Sequence, residues 1–393
     1  MRFAITVIIV FCLLFQFTAC AILPDTDNSA TSDSLGTNPS APNIENTEIV
    51  QKPMYSIALQ PVTESKADAN GSVIFRHHFQ NISLILPEPE VADKIILDYL
   101  NRNDATNRHA ESALLTAEQA YSNTKDDWDP HLLQMHYEPM RFDSGVLSLF
   151  GEVVSYTGGG HSAITGESVT YDLLTGNPLK FADVLNDAVS LDSVIDLVNN
   201  ALEPMRTEEQ LFPGYNEIVA QLLGGNIQQI SNWYLSDQGL VFYFDPYEIA
   251  PYVSGTVFAE IPYDKLNGIL SSAYFPAEQA VSVGRLNAVA FSDTELTDYT
   301  QFSEIILCEN GIKALLFATG AVSNIRISTV DDHGLTDELP KNTILFGAYT
   351  LTAGDAIMVE ANLDNTPLAV TYTANGQKQT CLLSFKEDSV VLE

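Results

Sequence analysis

HLLQMHYEPMR at 131–141, GVLSLFGEVVSYT at 145–157 and SAITGESVTYDL at 162–173 follow one another with only short gaps. The second and third are rich in β-branched and aromatic residues, and all three are bounded by turn-forming ones, which marks consecutive antiparallel strands. Upstream, 90–121 is the main helical segment. It opens at Pro89, carries Val91, Ile95, Ile96 and Tyr99, and resumes with Ala113, Leu114, Ala117 and Tyr121. Before it, 54–60 reads as a strand ended by Pro61, and 72–86 as one or two more. Downstream, 181–185, 191–205 and 215–223 are helical pieces, and 233–243 is a hairpin around Asp237-Gln238-Gly239. A strand at 256–261 and a short helix at 263–270 follow. The pattern predicts an α+β fold, an antiparallel sheet with packed helices, over 51–276.

The texture changes at Phe275-Pro276. From Val281 onward helical periodicity fades and short strand-like runs recur, with hairpin signals at Glu309-Asn310-Gly311 and Ala374-Asn375-Gly376. A smaller all-β, sandwich-like domain is expected over 281–393.

The chain has 393 residues, 46% of them hydrophobic, enough for real cores. That excludes a mostly disordered chain. With 18 basic against 51 acidic residues the net charge is −33. Nucleic-acid binding and adhesion to anionic lipid both need clustered Lys and Arg, so both are excluded. An acidic surface favours a cationic partner or a divalent metal over an anionic partner.

The N-terminus sets the compartment. Arg2 precedes an apolar run from Phe3 to Phe15, and Phe17-Thr18-Ala19-Cys20 has the form of a lipobox. Residues 1–19 are expected to be a lipoprotein signal peptide and Cys20 the lipidated residue. The alternative is an uncleaved anchor helix. Either places the body outside the cytoplasm. Residues 20–50, crowded with Asp, Asn, Ser, Thr and Pro, form a flexible tether with a reach of about 30 Å. Cys308 and Cys381 are then the available disulfide pair, or two separate thiols.

Tyr156-Thr157-Gly158-Gly159-Gly160-His161, Tyr171-Asp172-Leu173-Leu174-Thr175-Gly176 and Phe244-Asp245-Pro246-Tyr247-Glu248-Ile249-Ala250-Pro251-Tyr252 stand in one domain, followed by Gly255 and Ile261-Pro262-Tyr263. In order and spacing they resemble a bacterial envelope domain family of unknown function. It forms the outer half of a lysozyme-sensing anti-sigma factor and the N-terminal part of a peptidoglycan deacetylase. The resemblance covers about 53–276 and implies an α+β envelope domain, with lysozyme as a protein ligand in the anti-sigma member. Only Met1 and Arg2 precede the apolar run, so the sigma-holding role is not expected here. Thr329-Val330-Asp331-Asp332-His333-Gly334 resembles a deacetylase Asp-Asp only superficially. A His separates the second Asp from the Gly, and the region is short for a barrel of about 250 residues.

Most of these residues read as architectural, the glycines for backbone freedom and the prolines for a fixed path. His161, beside the glycine loop, is the leading polar candidate, and Gly159, Gly160, Tyr247 and Glu248 are further candidate ligand-binding residues. Glu248 and Asp245 have the form of an acid–base pair, yet among 51 acidic residues such neighbours arise by chance. Trp128, set among Asp126, Asp127 and Asp129, is the aromatic expected to be partly exposed and is a further candidate ligand-binding residue. His77 and His78 alternate across a strand, as do His131 and His136, so neither pair shares a ligand. There is no HExxH, CxxC, G-x-S-x-G, phosphate loop or calcium loop. No metal or cofactor is expected.

The expectation is a surface lipoprotein with a non-enzymatic binding role, its ligand a cationic protein such as lysozyme or cell-wall glycan, and its membrane contact only the lipid. The alternatives are an envelope enzyme acting on wall polymers, with Glu248 or Asp245 and His161 in a cleft, and a structural module of a surface complex. A cleft with convergent carboxylates favours the enzyme; a flat acidic or aromatic face favours the binder.

Overall fold

A computed structural model describes residues 55–124, 128–276, 284–290, 301–308, 310–330, 343–362, 367–386 and 389–393. The expected signal peptide, Cys20 and tether lie outside the described residues, as does Asp331-Asp332-His333-Gly334. Among the described residues no helix is long and apolar enough to cross a membrane.

The three stretches at 131–173 are strands β3 (His131–Phe142), β4 (Val146–Tyr156) and β5 (Ala163–Asp172), paired antiparallel in order. Preceding them are β1 (Ser56–Ala67), β2 (Val73–Ile85) and the helix α1 (Pro89–Asn123). Pro89 begins α1, where its missing N–H costs no helical bond. Because α1 crosses over between them, β2 and β3 pair in parallel. Contrary to expectation, β1 runs through Pro61. Its pairing with β13 (Ile344–Leu351) spans only Ser56–Ala58, so beyond that there is no β13 ladder for a proline to interrupt.

The segments on either side of residue 276 share one sheet. Its ten described strands run β17-β16-β15-β12-β13-β1-β2-β3-β4-β5, with β12 Val322–Thr329, β15 Leu368–Ala374, β16 Gln377–Lys386 and β17 Ser389–Leu392. A four-stranded sheet, of β9 (Leu286–Ala290), β10 (Gln301–Ile306), β11 (Ile312–Ala318) and β14 (Asp355–Ala361), shares a core with the C-terminal end of the large one. Ile325, Ile327, Phe346 and Val370 meet Leu316, Ile357 and Val359 there, a sandwich arrangement.

The second half of the α+β region is a smaller layer. Helices α2 (Leu191–Thr207) and α3 (Tyr215–Leu222) share a core with a sheet of β6 (Trp233–Leu235), β7 (Gly239–Phe244) and β8 (Val257–Pro262). The expected helix at 263–270 is only a 3-10 turn at Tyr263–Lys265, because Gly268 turns the chain at φ 81°. Fully buried Arg141 ties this layer to β3. Its guanidinium pairs with Asp143 at 2.7 Å and donates to Tyr263 Oη and to the carbonyls of Tyr274 and Phe275.

The alternation of β3 sets up the site. Leu133, Met135 and Tyr137 face α1 and its apolar side chains. Gln134, His136, Glu138 and Met140 therefore point the other way, toward the β6–β7–β8 layer.

Candidate functional site

Two features on the β3–β4–β5 end of the sheet carry polar or aromatic groups that packing alone does not require. The first is a ledge. The loop 157–162 between β4 and β5 reaches the loop 245–255 between β7 and β8. His161 stacks on Tyr252 with ring centroids 4.1 Å apart and stands 6.2 Å from Tyr247, and the two tyrosine rings are 5.6 Å apart. Tyr252 Oη donates to the Ser162 carbonyl at 2.8 Å, locking the loops together. The sequence candidates His161, Tyr247 and Glu248 thus come together.

Their roles differ. Glu248 Oε2 accepts from the Asp245 N–H, and Asp245 Oδ1 accepts from the Gly166 N–H, both at 2.7 Å. Each carboxyl thus fastens the loop through one oxygen, and burial raises the pKa of each. Tyr247 sits at φ 72°, uncommon for a bulky side chain, and its N–H donates to the Ala250 carbonyl. The loop holds Tyr247 58% exposed and Val253 92% exposed. Gly158 and Gly159 have φ of 89° and 109°, so the turn requires them. A Cβ at Gly159 or Gly160 would meet nothing within 4 Å, so close chain approach is not their purpose.

Trp128 does not join that stack. It is half-buried, lies 4.7 Å from the His131 ring and 5.4 Å from Tyr121, and shares a hollow with Tyr156, Gly158 and Gly159. Burial lowers the His131 pKa.

The second feature is a cleft of about 550 Å³ between the outer face of β3–β4 and the β6–β7–β8 layer. Sequence reasoning missed it. Glu138 from β3, Glu152 from β4 and Glu260 from β8 line it. Register explains the convergence: His136 pairs with Glu152 and Glu138 with Phe150, so all four side chains share a face. Glu152 Oε1 accepts from Thr256 Oγ1 at 2.5 Å, and Glu260 Oε1 from Ser236 Oγ at 2.9 Å. Burial, with Glu152 adding repulsion, pushes the Glu138 carboxyl up to about 7, although the Ile344 N–H donates to it. Burial, with His78 adding repulsion, takes His136 down to about 4. The signal available in sequence was polar residues at alternate positions, Gln134, His136 and Glu138, in an otherwise apolar run. Among the described residues no three His, Cys, Asp or Glu are placed to hold a metal ion.

Cys308 and Cys381 are free thiols, so a bond between them is not realised here.

Residues 172–264, which include the 245–255 loop and the β6–β7–β8 layer, match the model of a protein family of unknown function, DUF3298. A solved DUF3298 family member from Bacteroides fragilis is similar at 18% identity and a TM-score of 0.43, covering 56% of this chain and 94% of that one. A DUF3298 family protein from Pseudomonas aeruginosa PAO1 is similar at 16% identity and a TM-score of 0.41, covering 56% and 97%. No curated protein matches the chain.

Proposed function

We propose that this chain is a ligand-binding lipoprotein of the bacterial envelope, held by lipidated Cys20, whose ledge docks a cationic protein such as lysozyme. The observation that carries it is the exposed Tyr247 and Val253 on a loop fixed by its own hydrogen bonds. Rigid aromatic and apolar anchors of this kind concentrate binding energy in protein interfaces. The net charge of −33 adds steering toward a basic partner. The carboxylates on the ledge are committed to the loop, so it presents a docking surface and no free acid–base pair. The test is calorimetric titration of the chain from Cys20 onward with lysozyme in 150 mM salt, beside an equally basic unrelated protein. Selective binding of lysozyme is expected. Equal or absent binding of the two overturns the reading.

The acidic cleft favours a second reading, an envelope hydrolase acting on wall glycan. Glu138, raised to about 7, has the protonation a general acid needs, with Glu152 on the same face. Release of reducing ends from peptidoglycan, lost in Glu138→Gln, is the result that reading requires.

A further inference from the structure

We infer that the cleft between β3–β4 and the β6–β7–β8 layer is a binding site for a primary ammonium group carried on a small hydroxylated or amide-bearing body. The inference is independent of the ledge. Three carboxylates from three different strands, Glu138, Glu152 and Glu260, enter the cleft, and none of its lining residues is Lys or Arg. The cleft's volume of about 550 Å³ falls within the range of small-molecule sites, about 300–1,000 Å³.

Carboxylates alone would say little in so acidic a chain. Two further observations point to a ligand. His136 is only 9% exposed, it lines the cleft, and its Nδ1 has no hydrogen-bond partner among the described residues. Buried polar atoms are nearly always paired, so this orphan leaves the His136 ring incompletely satisfied where it borders the cleft. Its ring is neutral, so it does not repel a cation there.

The second observation is an aromatic wall. Phe150 packs 5.1 Å from Tyr234 and 5.3 Å from Phe258, and all three line the cleft. Phe258 is 42% exposed. Aromatic faces beside carboxylates are the chemistry that holds ammonium groups: the ring quadrupole attracts the cation and the oxygens accept its N–H bonds. A neutral acetylated amine loses both attractions.

The amine could be supplied by an amino sugar or by a lysine side chain. The test uses one probe for each, glucosamine and Nα-acetyl-lysine amide, titrated calorimetrically into the chain from Cys20 onward at pH 7.5. N-acetylglucosamine and Nα,Nε-diacetyl-lysine amide are the neutral controls. At least one free amine is expected to bind tenfold or more tightly than its acetylated form, and the better probe identifies the source. Glu260→Gln should weaken that binding at least tenfold. Phe258→Ala, at an exposed position that does not endanger folding, should weaken it several-fold. Tyr247→Ala on the ledge should leave it unchanged. Equal binding of amines and acetylated controls, or no binding of either amine, overturns the proposal. So does an amine affinity that neither Glu260→Gln nor Phe258→Ala changes.

Discussion

Glu138→Gln should change how stability responds to pH by a calculable amount. Folding raises the carboxyl from an ordinary value of 4.5 to about 7, which at about 1.4 kcal/mol for each tenfold change in proton affinity is worth about 3.5 kcal/mol. Between pH 4.5 and 7 the folded state holds this proton more tightly than the unfolded chain does. The wild-type protein therefore loses stability at this site as pH rises through that window, whereas glutamine, uncharged throughout, does not. The unfolding free energy of Glu138→Gln minus that of wild type should climb by about 3.5 kcal/mol from pH 4.5 to 7 and level off above. His136 acts in the opposite sense. Its folded value, about 4, lies below the ordinary 6.5, so its contribution is present above pH 6.5 and lost as pH falls toward 4. The two contributions oppose each other over overlapping windows, so wild type should show a flatter profile than either Glu138→Gln or His136→Gln. Urea unfolding followed by circular dichroism at half-unit pH steps reads both differences. A Glu138→Gln difference that stays within about 1 kcal/mol across the window, or that falls with pH, would show that the carboxyl is not held in a desolvated cleft.

Other consequences are simpler. Arg141→Met leaves Asp143 buried without its cation and the 263–275 segment without its anchor, so a loss of about 3–5 kcal/mol is expected in urea unfolding. Gly151→Ala places a Cβ 2.2 Å from the His136 carbonyl oxygen, a backbone atom that cannot yield. It should cost about 1–3 kcal/mol or more, with the β3–β4 register disturbed in hydrogen exchange. Tyr247→Gly relieves a positive φ while losing ring contacts, so stability should stay within about 1 kcal/mol of wild type in the same unfolding assay. The same variant should bind lysozyme at least tenfold more weakly by calorimetry.

The strands at 131–173 were readable because long β-rich runs separated by short turns leave few alternatives. The helix over 89–123 was readable from its proline start and apolar spacing. What could not be read was pairing at a distance. Nothing in Ser56-Ile57-Ala58 says that its neighbour is Phe346-Gly347-Ala348, or that this pairing stops at Ala58 and so leaves Pro61 room in the strand. The ledge was half readable. His161 and Tyr247 stood out through glycine and proline punctuation, but their meeting, with His161 stacked on Tyr252, depends on two hairpins more than eighty residues apart in sequence. Val253, more exposed than Tyr247, carried no motif at all. The cleft was hidden for a different reason. Glu138, Glu152 and Glu260 each look like one acid among 51, and only strand register and layer packing bring them together. Glu248 and Asp245, adjacent enough to suggest chemistry, turned out to be loop fastenings.

The most direct measurement on the proposed role compares wild type with Tyr247→Ala/Val253→Ala for lysozyme affinity in 150 mM salt, where exposed charges are screened beyond about 8 Å. Net charge is identical in the two chains, so any difference belongs to the ledge. Tight wild-type binding with at least a tenfold loss in the double variant is the predicted result. Equal affinity in both chains, or no wild-type binding, would contradict docking through this surface.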